Sequence, residues 1–254
     1  MSSSDASGRL FTFLLTDRFG MFSLSAFIDC MRSANRLSGK DFYSWKTVSA
    51  TGGVVTASNN MRITADHSLA DMPAADIFFV TCSFSTEVPD KAKILNALRT
   101  VGRRGGALGG LVMGSEMLAD AGLMDGYRCT IHWENRAAFR EKFPDIECTG
   151  NIFEIDRKRY TCAGGTTAID LMLEIIKGDF GPALAAEVAN QFQHERIRPA
   201  TDRQRIGRER DLNGKSEKLR MVVELMADHL EDPLTAVQLA ASVKLSVRQV
   251  ERLF

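Results

Sequence analysis

A turn bracketed by two glycines constrains this chain more than any other feature of its sequence. Residues from Ala107 onward are small and apolar, which predicts a buried strand, and a helical run follows at residues 115–121. Between them lies Gly110-Leu-Val-Met-Gly114. A Gly-x-nucleophile-x-Gly turn between a strand and a helix is a nucleophile elbow, whose glycines permit the strained backbone that pushes the central side chain into a pocket. The central residue here is Val112, so the sequence predicts an elbow that lacks a nucleophilic atom.

The remainder of residues 9–195 alternates between strand and helix patterns. Buried strands are predicted at residues 9–16, 43–50, 76–81, 151–155 and 159–163, with a short hairpin at 54–64. Helices are predicted at residues 21–37, 89–104, 134–143, 166–177 and 180–192. Strands that alternate with helices indicate an α/β fold with a doubly wound, mainly parallel, flavodoxin-like sheet. Ligands bind such sheets beyond the carboxyl ends of the strands, where the elbow is predicted to lie.

Composition excludes several classes of protein. The chain is 44% hydrophobic and 25% charged, and it has no apolar run near the roughly 20 residues of a membrane helix, so no membrane partner is predicted. Residues 1–8 lack the regions of a signal peptide and are predicted to be a disordered lead. Five cysteines without Cys-x-x-Cys spacing indicate free thiols in a reducing cytoplasm. Because the formal net charge is zero, a surface that binds nucleic acid would have to be local.

The pattern changes after Glu195. Aliphatic residues become sparse and six arginines appear, which predicts an exposed linker at residues 196–215. Charge runs are usually solvated, so a tether is favoured over a segment that contacts DNA.

Residues 216–254 are predicted to form a small all-α helix-turn-helix segment. Thr235 with Gln238, and Ser246 with Gln249, are capping boxes that begin two short helices. The last helix is predicted to bury Val247, Val250 and Phe254. Its other face carries residue types that contact bases and phosphates, and the predicted DNA-binding residues are Ser246, Arg248, Gln249 and Arg252.

Three motifs resemble a known superfamily. Gly-Leu-Val-Met-Gly at 110–114, Leu-Ala-Asp-Ala-Gly-Leu-Met-Asp-Gly at 118–126 and Ile-His-Trp-Glu at 131–134 resemble the PfpI-like class I amidotransferases. In that superfamily the elbow residue is usually Cys, a His follows at the position of His132, and an acidic residue in the first helix bonds the Cys. The position that matches this acid is Ser23. The resemblance therefore implies a PfpI-like sandwich in which two of three catalytic features are missing.

The whole chain resembles one branch more closely, the AraC/XylS-type transcription regulators with an N-terminal PfpI-like sensor domain. Leu239 to Phe254 is similar to the first helix-turn-helix of that family, and the family pattern continues with a second one. With one recognition helix, the chain as given is expected to bind DNA weakly. The nearest regulators control quaternary-amine (glycine betaine, carnitine) and arginine catabolism, which implies an effector with a cationic group and a carboxylate.

The predicted ligand-binding residues surround the elbow. They are Cys82, Phe84, Val112, Met113, His132 and Trp133. His132 could instead be a core histidine, although its spacing from the elbow favours the pocket, and Trp133 is equally compatible with core and with a cation-binding face. The thiols of Cys82 and Cys162 are expected to be inert, and His67, His194 and His229 show no ligand spacing, so neither a metal nor a cofactor is predicted.

The sequence thus predicts a ligand-responsive transcription regulator that is not an enzyme. Its predicted partners are promoter DNA, a small-molecule effector and a second copy of the chain. A PfpI-like hydrolase or amidase is the alternative, which Val112 opposes. A sensor that acts only through protein–protein contacts is a third possibility.

Overall fold

The computed structural model describes residues 8–204, 216–229 and 233–254. The chain divides into two compact units after Gln204, and each has its own hydrophobic core. Predictions that fall on residues 1–7, 205–215 and 230–232 lie outside the described residues. This includes most of the predicted lead and the second half of the predicted linker.

The first unit is built around a mainly parallel sheet. Its strands, with the β3–β4 hairpin set apart from the sheet, are Arg9–Leu15 (β1), Tyr43–Ser49 (β2), Gly53–Thr56 (β3), Arg62–Ala65 (β4), His67–Ser68 (β5), Ile77–Cys82 (β6), Ala107–Val112 (β7), Phe153–Asp156 (β8) and Arg159–Cys162 (β9). The strand order is β5-β2-β1-β6-β7-β9-β8, and β8 pairs antiparallel with β9 while the other neighbours are parallel. The predicted α/β fold is confirmed.

Helices cover both faces of this sheet. They are Met21–Ser38 (α1), Lys91–Arg103 (α2), Gly114–Asp120 (α3), Arg136–Lys142 (α4), Thr167–Phe180 (α5) and Pro182–Gln191 (α6), with a 3-10 turn at Trp133–Asn135. One apolar cluster joins α1, α5 and α6 to the sheet through aromatic rings in edge and tilted contact, such as those of Phe13, Phe27 and Phe79. A second cluster joins α2, α3 and α4 to the other face. The two clusters hold the strand ends, and with them the elbow, in fixed positions.

The sequence did not predict the short edge strand β5. It has two residues, and its backbone pairs with Val48 and Ser49 at the end of β2. So short a segment carries no alternating pattern, and only the neighbouring strand determines its conformation. Other differences are shifts of element ends, such as α5, which extends to Phe180 rather than Lys177.

The boundary of the first unit differs from the predicted one. Residues 196–204 were predicted to be exposed linker, but they pack against the first unit as far as Gln204, whose exposed fraction is 8%. The backbone N–H of Ile152 donates to the carbonyl oxygen of Asp202 at 3.0 Å, and the backbones of Arg203 and Asn151 form an isolated antiparallel β-bridge. The arginine-rich composition indicated a segment exposed to solvent, whereas polar groups of the segment form hydrogen bonds with the first unit. We call residues 194–204 the strap.

The second unit contains three described helices. They are Glu217–Asp228 (α7), Ala236–Ser242 (α8) and Val247–Glu251 (α9), and both predicted capping boxes are formed at the starts of α8 and α9. Val250 is buried and Val247 packs against the small core, but Phe254 is 67% exposed, so its predicted core position is wrong. Among the described residues no helix is long and apolar enough to cross a membrane.

Candidate functional site

The elbow predicted from the two glycines is present in the structure. Val112 ends β7 with φ of 60°, a left-handed conformation that is a genuine outlier for a β-branched residue. A Cβ atom on Gly110 would lie 2.5 Å from the backbone of Gly114 and Ser115, and one on Gly114 would collide with the carbonyl oxygen of Val80. The chain therefore needs glycine on both sides of the turn. Such backbone strain costs about 1–3 kcal/mol and concentrates at functional sites.

Three neighbouring segments meet at the side chain of Val112. A Cβ on Gly164, in the turn before α5, would lie 2.7 Å from Val112 Cγ2, and one on Gly20, before α1, would lie 3.6 Å from the same atom. Ser23, at the position expected for the missing acid, is buried in the first turns of α1, and its hydroxyl oxygen accepts the backbone N–H of Gly165 at 2.9 Å. The starts of α1, α3 and α5 thus converge on an apolar side chain.

Two predicted ligand-binding residues belong to the core instead. Cys82 is fully buried and Met113 is 4% exposed, and both pack in the cluster beneath α3. Cys82 is paired with Val112 across β6 and β7, so its backbone borders the elbow, but its thiol points into the apolar interior. Alternation along the strand sends neighbouring side chains to opposite faces, which proximity in sequence does not reveal. Phe84 has the opposite environment, with 74% of its surface exposed.

His132 and Trp133 are both half-buried. The side chain of His132 is 33% exposed, its Nδ1 lies 3.7 Å from a carboxylate oxygen of Glu134, and its ring centroid is 5.6 Å from that of Trp133. His132 thus contacts its own neighbours in the chain. The three side chains form a polar and aromatic group on the segment between residues 129 and 135, with the accessibility that a binding residue needs.

A buried carboxylate on α5 was missed as a functional feature. Asp170 is fully buried in the first turn of α5, and its oxygens accept from His194 Nε2 at 2.9 Å and from Arg198. Arg198 donates its backbone N–H at 2.8 Å, its Nε at 3.0 Å and a terminal nitrogen at 2.6 Å. The other hydrogen bond of that nitrogen goes to Thr166 in the turn beside the elbow, at 2.8 Å. We call this cluster the Asp170 lock, because it fixes the strap to α5.

Comparisons with known proteins agree with this geometry. Residues 14–178 match the model of the DJ-1/PfpI family. The chain belongs to the DJ-1/PfpI family. It is 41% identical over 244 residues, 96% of its length, to the HTH-type transcriptional regulator CdhR of Pseudomonas aeruginosa, and 39% identical over 242 residues to the regulator GbdR of the same species. It spans 72% and 66% of these relatives' own lengths.

A solved structure is similar over most of the chain. The crystal structure of an AraC family transcriptional regulator from Pseudomonas putida has 30% sequence identity and a TM-score of 0.67, and the match covers 72% of this chain and 99% of that one. The resemblance to AraC-type regulators with a PfpI-like domain is thereby confirmed. Relatives named as transcriptional regulators support a regulator role for this member of the family.

The DJ-1/PfpI fold includes enzymes, so the thiols near the elbow are of particular interest. Cys162 ends β9 beneath Val112 and is fully buried, and burial raises the pKa of its thiol to about 11. Burial also raises the pKa of Cys82 to about 12, although Thr16 donates a hydrogen bond to its sulfur. Since the thiolate is the nucleophile, neither group is activated at neutral pH.

A cavity of about 800 Å³ lies away from the elbow, at the edge of the sheet where β1 and β9 begin. None of the six predicted ligand-binding residues lines it. It is bordered by β8, β9, α5 and the strap, and its charged residues include the Arg9–Asp179 pair, with a nitrogen–oxygen distance of 2.6 Å. This cavity lies at the opposite edge of the sheet from the elbow.

The predicted DNA-binding residues are all exposed in the second unit, in or flanking α9. The side-chain oxygen of Gln249, however, accepts the backbone N–H of Ser246 at 2.9 Å and the Ser246 hydroxyl at 3.0 Å. This capping box leaves Gln249 its amide donors but not its acceptor for a base edge. Among residues 8–204, 216–229 and 233–254, no side-chain hydrogen bond occupies Arg248 or Arg252, so their guanidinium donors are available for phosphates or guanine.

Proposed function

We propose that this protein is a ligand-responsive, DNA-binding transcription regulator whose DJ-1/PfpI domain senses a small molecule and performs no catalysis. The observation that carries the proposal is Val112 at φ of 60°, an apolar side chain in the strained position from which related folds present a nucleophile. A protein that keeps a costly elbow without its nucleophile uses the position for binding. The regulators among its relatives supply the second support.

The proposed effector is a small amino-acid-like or quaternary-amine molecule with a cationic group and a carboxylate. The indole face of Trp133 attracts a cation, and Glu134 adds a negative charge beside it. His132 offers a ring nitrogen to the carboxylate, and Val112 provides an apolar surface for the methyl or methylene groups. Exposed Phe84 follows β6, which ends beside the elbow, and is proposed to line the rim of the site.

A binding assay tests this site. Calorimetry and thermal shift with glycine betaine, carnitine and arginine should show saturable binding of at least one compound. Val112→Arg should abolish it, because the new side chain fills the site and repels a cation. Val237→Arg, at a position that is 67% exposed on α8 of the second unit, is the matched control and should bind normally. Equal binding by both variants would place the effector elsewhere, for example in the cavity beside the strap.

The Asp170 lock connects the turn beside the elbow to the strap. Gly164 contacts Val112, Thr166 in the same turn bonds Arg198, and Arg198 holds the strap that ends at Gln204. We propose that a ligand at the elbow shifts this turn and thereby the strap. An enzyme of the hydrolase or amidase kind would need no such connection. Turnover of an amide or ester substrate that is lost on mutation of a cysteine would favour that alternative.

We propose that α9 of the second unit contacts promoter DNA. The double variant Arg248→Ala with Arg252→Ala should weaken binding to promoter fragments by at least tenfold in a gel shift at low salt, because each bidentate base contact contributes about 1–3 kcal/mol. The double variant Arg104→Ala with Arg220→Ala, which removes two exposed arginines outside α9, is the control with the same net charge. Equal losses in both proteins would indicate that only bulk charge matters.

We also propose that the regulator is a homodimer. Two-fold pairing matches paired half-sites on DNA. Apolar side chains exposed at the start of α1 and on the adjacent hairpin offer a surface for it, namely Phe22, Val54 and Met61. Light scattering should give twice the chain mass at tens of micromolar, and a monomer at that concentration would contradict the proposal.

A further inference from the structure

Two free thiols face each other in the first unit, on a segment that carries part of the candidate site. Cys129 and Cys148 are partners in an isolated parallel β-bridge. The backbone N–H of Cys129 donates to Glu147 at 3.0 Å, and that of Thr149 donates to Cys129 at 2.9 Å, so hydrogen bonds on both sides fix the pairing. Paired strands lie about 4.8 Å apart. That spacing falls within the roughly 4.4–6.8 Å between Cα atoms that a disulfide spans.

We propose that Cys129 and Cys148 are a redox-modification site, at which hydrogen peroxide converts the two thiols into a reversible intramolecular disulfide. Side chains of bridge partners emerge on the same side, and the two thiols interact directly. No large backbone movement is needed to join them. The inference does not depend on the identity of the effector or on DNA binding.

The surroundings give the two thiols different roles. Cys148 is 5% exposed, and its pKa is lowered by the Cys129 thiol, which donates to it, and by the cations Arg140 and Arg136. The guanidinium of Arg140 donates to the Cys148 carbonyl oxygen at 2.9 Å, which keeps this charge beside the thiol. Cys129 is fully buried, and its pKa is raised by the same contact, by burial and by Glu154 and Glu147. Of the two thiols, Cys148 therefore loses its proton more readily and reacts first with the oxidant, and Cys129 reacts second.

The chemistry balances with one molecule of peroxide. The Cys148 thiolate attacks one peroxide oxygen and the O–O bond breaks, which leaves a sulfenic acid and releases hydroxide that takes up a proton to form water. The Cys129 sulfur then attacks the sulfenic sulfur, the S–S bond forms, and the hydroxyl leaves with the Cys129 proton as a second water. Two thiols are oxidised and one peroxide is reduced to two waters. A dithiol such as dithiothreitol reverses the change.

The disulfide would close a loop that contains the predicted site residues. Between the two cysteines lie His132, Trp133 and helix α4, and Thr130 beside Cys129 accepts a hydrogen bond from Gln204 at the end of the strap. Oxidation would therefore fix the base of this loop at the place where it contacts the strap.

Thiol titration and peptide mapping of the whole chain test the proposal. After brief peroxide treatment, the number of titratable thiols in the denatured protein should fall from five to three and return to five with dithiothreitol. A non-reducing tryptic digest should contain residues 129–136 linked to residues 143–157, because Arg128, Arg136, Lys142 and Arg157 bound these peptides.

Variants assign the roles. Cys148→Ser should slow the loss of thiols at least tenfold, and Cys129→Ser should lose the linked peptide while Cys148 still oxidises. Cys162→Ser, which removes a buried thiol outside the pair, should still lose two thiols. If Cys129→Ser fails to fold, the peptide map of the wild-type protein decides alone. Five persistent thiols in folded protein, or links that join other cysteines or two chains, would overturn the proposal.

Discussion

The elbow and the Asp170 lock flank the same turn, residues 164–166, yet they are built in opposite ways. At the elbow, Val112 places an apolar side chain on strained backbone and leaves it half-buried. In the lock, the carboxylate of Asp170 lies on a regular helix and is fully buried. It accepts four hydrogen bonds, which come from two side chains and one backbone group. One region holds strain and an apolar surface, and the other holds a charge whose hydrogen-bond donors, among the described residues, lie in the strap.

This difference indicates which region can respond to a ligand. A strained, half-buried position gains contacts when a small molecule covers it. A buried charge whose hydrogen bonds are already formed gains no contacts from a ligand, and breaking those bonds would destabilise the fold. We therefore propose that the elbow is the sensor and that the lock is the support against which the turn moves. The contrast makes quantitative predictions about stability.

The largest expected effect is that of Asp170→Ala. Removing this carboxylate leaves Arg198 and His194 without their buried partner, and breaking a buried pair costs about 3–5 kcal/mol. The side chain of Arg198 is 24% exposed and can regain water, so we expect the lower end of that range. Urea unfolding of the whole chain, followed by a probe in the first unit, measures the change. The strap should also become susceptible to trypsin at Arg196 and Arg203, whereas Pro199 prevents cleavage after Arg198.

A second aspartate on the same helix is the matched control. Asp179, at the other end of α5, pairs with Arg9, and the side chains of Arg9 and Asp179 are 31% and 22% exposed. It also accepts the hydroxyl of Tyr43, which is buried. Exposed pairs contribute about 0–1 kcal/mol, so Asp179→Ala should cost far less and leave the strap resistant to trypsin. Equal losses for the two variants would mean that the lock is an ordinary surface contact.

The next expected effect concerns strain at the elbow. Alanine-to-glycine changes ordinarily destabilise by about 0.5–1 kcal/mol, but a left-handed backbone costs an L-residue about 1–2 kcal/mol that glycine avoids. Val112→Gly should therefore be more stable than Val112→Ala by about 1 kcal/mol in urea unfolding. Ala119→Gly in α3 should show the ordinary loss, because that alanine is in regular helix. If glycine is the worse of the two at residue 112, the elbow is not strained in solution.

Much of this geometry could be predicted from the sequence because it follows from local rules. Gly110 and Gly114 bracket the elbow because their neighbours leave no room for a Cβ. The capping boxes at Thr235 and Ser246 form because each of these residues pairs with a glutamine three positions later in the chain. The alternation of strands and helices likewise fixed the parallel sheet. Each of these signals lies within a short stretch of chain.

What the sequence missed depends on contacts between distant segments. Asp170 and Arg198 are 28 residues apart, and an arginine in a charged stretch usually faces water, so the strap was predicted to be linker. Cys82 was placed in the pocket because it follows a strand toward the elbow, yet the pleat turns its thiol into the core. Phe254 was placed in the core by helical spacing, although α9 ends at Glu251 and no longer carries that periodicity.

The smallest expected effect belongs to a charged network on the elbow side. Asp120 ends α3, and its two oxygens pair with Lys142 at 2.7 Å and Lys91 at 2.8 Å. Burial raises the pKa of Asp120, but hydrogen bonds from Lys142 and Lys91 outweigh it, so the pKa is held below its usual range. Because the lysine side chains are 43% and 22% exposed, the network should contribute no more than about 1 kcal/mol, and less at high salt.

The sign of the pH dependence follows from that direction. A carboxyl group whose pKa is lower in the folded state stabilises the protein above its unfolded pKa of about 3.9, and this stability is lost as the pH falls through the folded value. Asp120→Asn should lower the free energy of unfolding at pH 7, and its difference from the wild type should shrink as the pH is lowered below about 4. Urea titrations of both proteins between pH 7 and pH 3 measure this. A difference that stays constant over the whole range would show that the network stabilises α3 by packing rather than by charge, and the elbow helix would then depend on its apolar cluster alone.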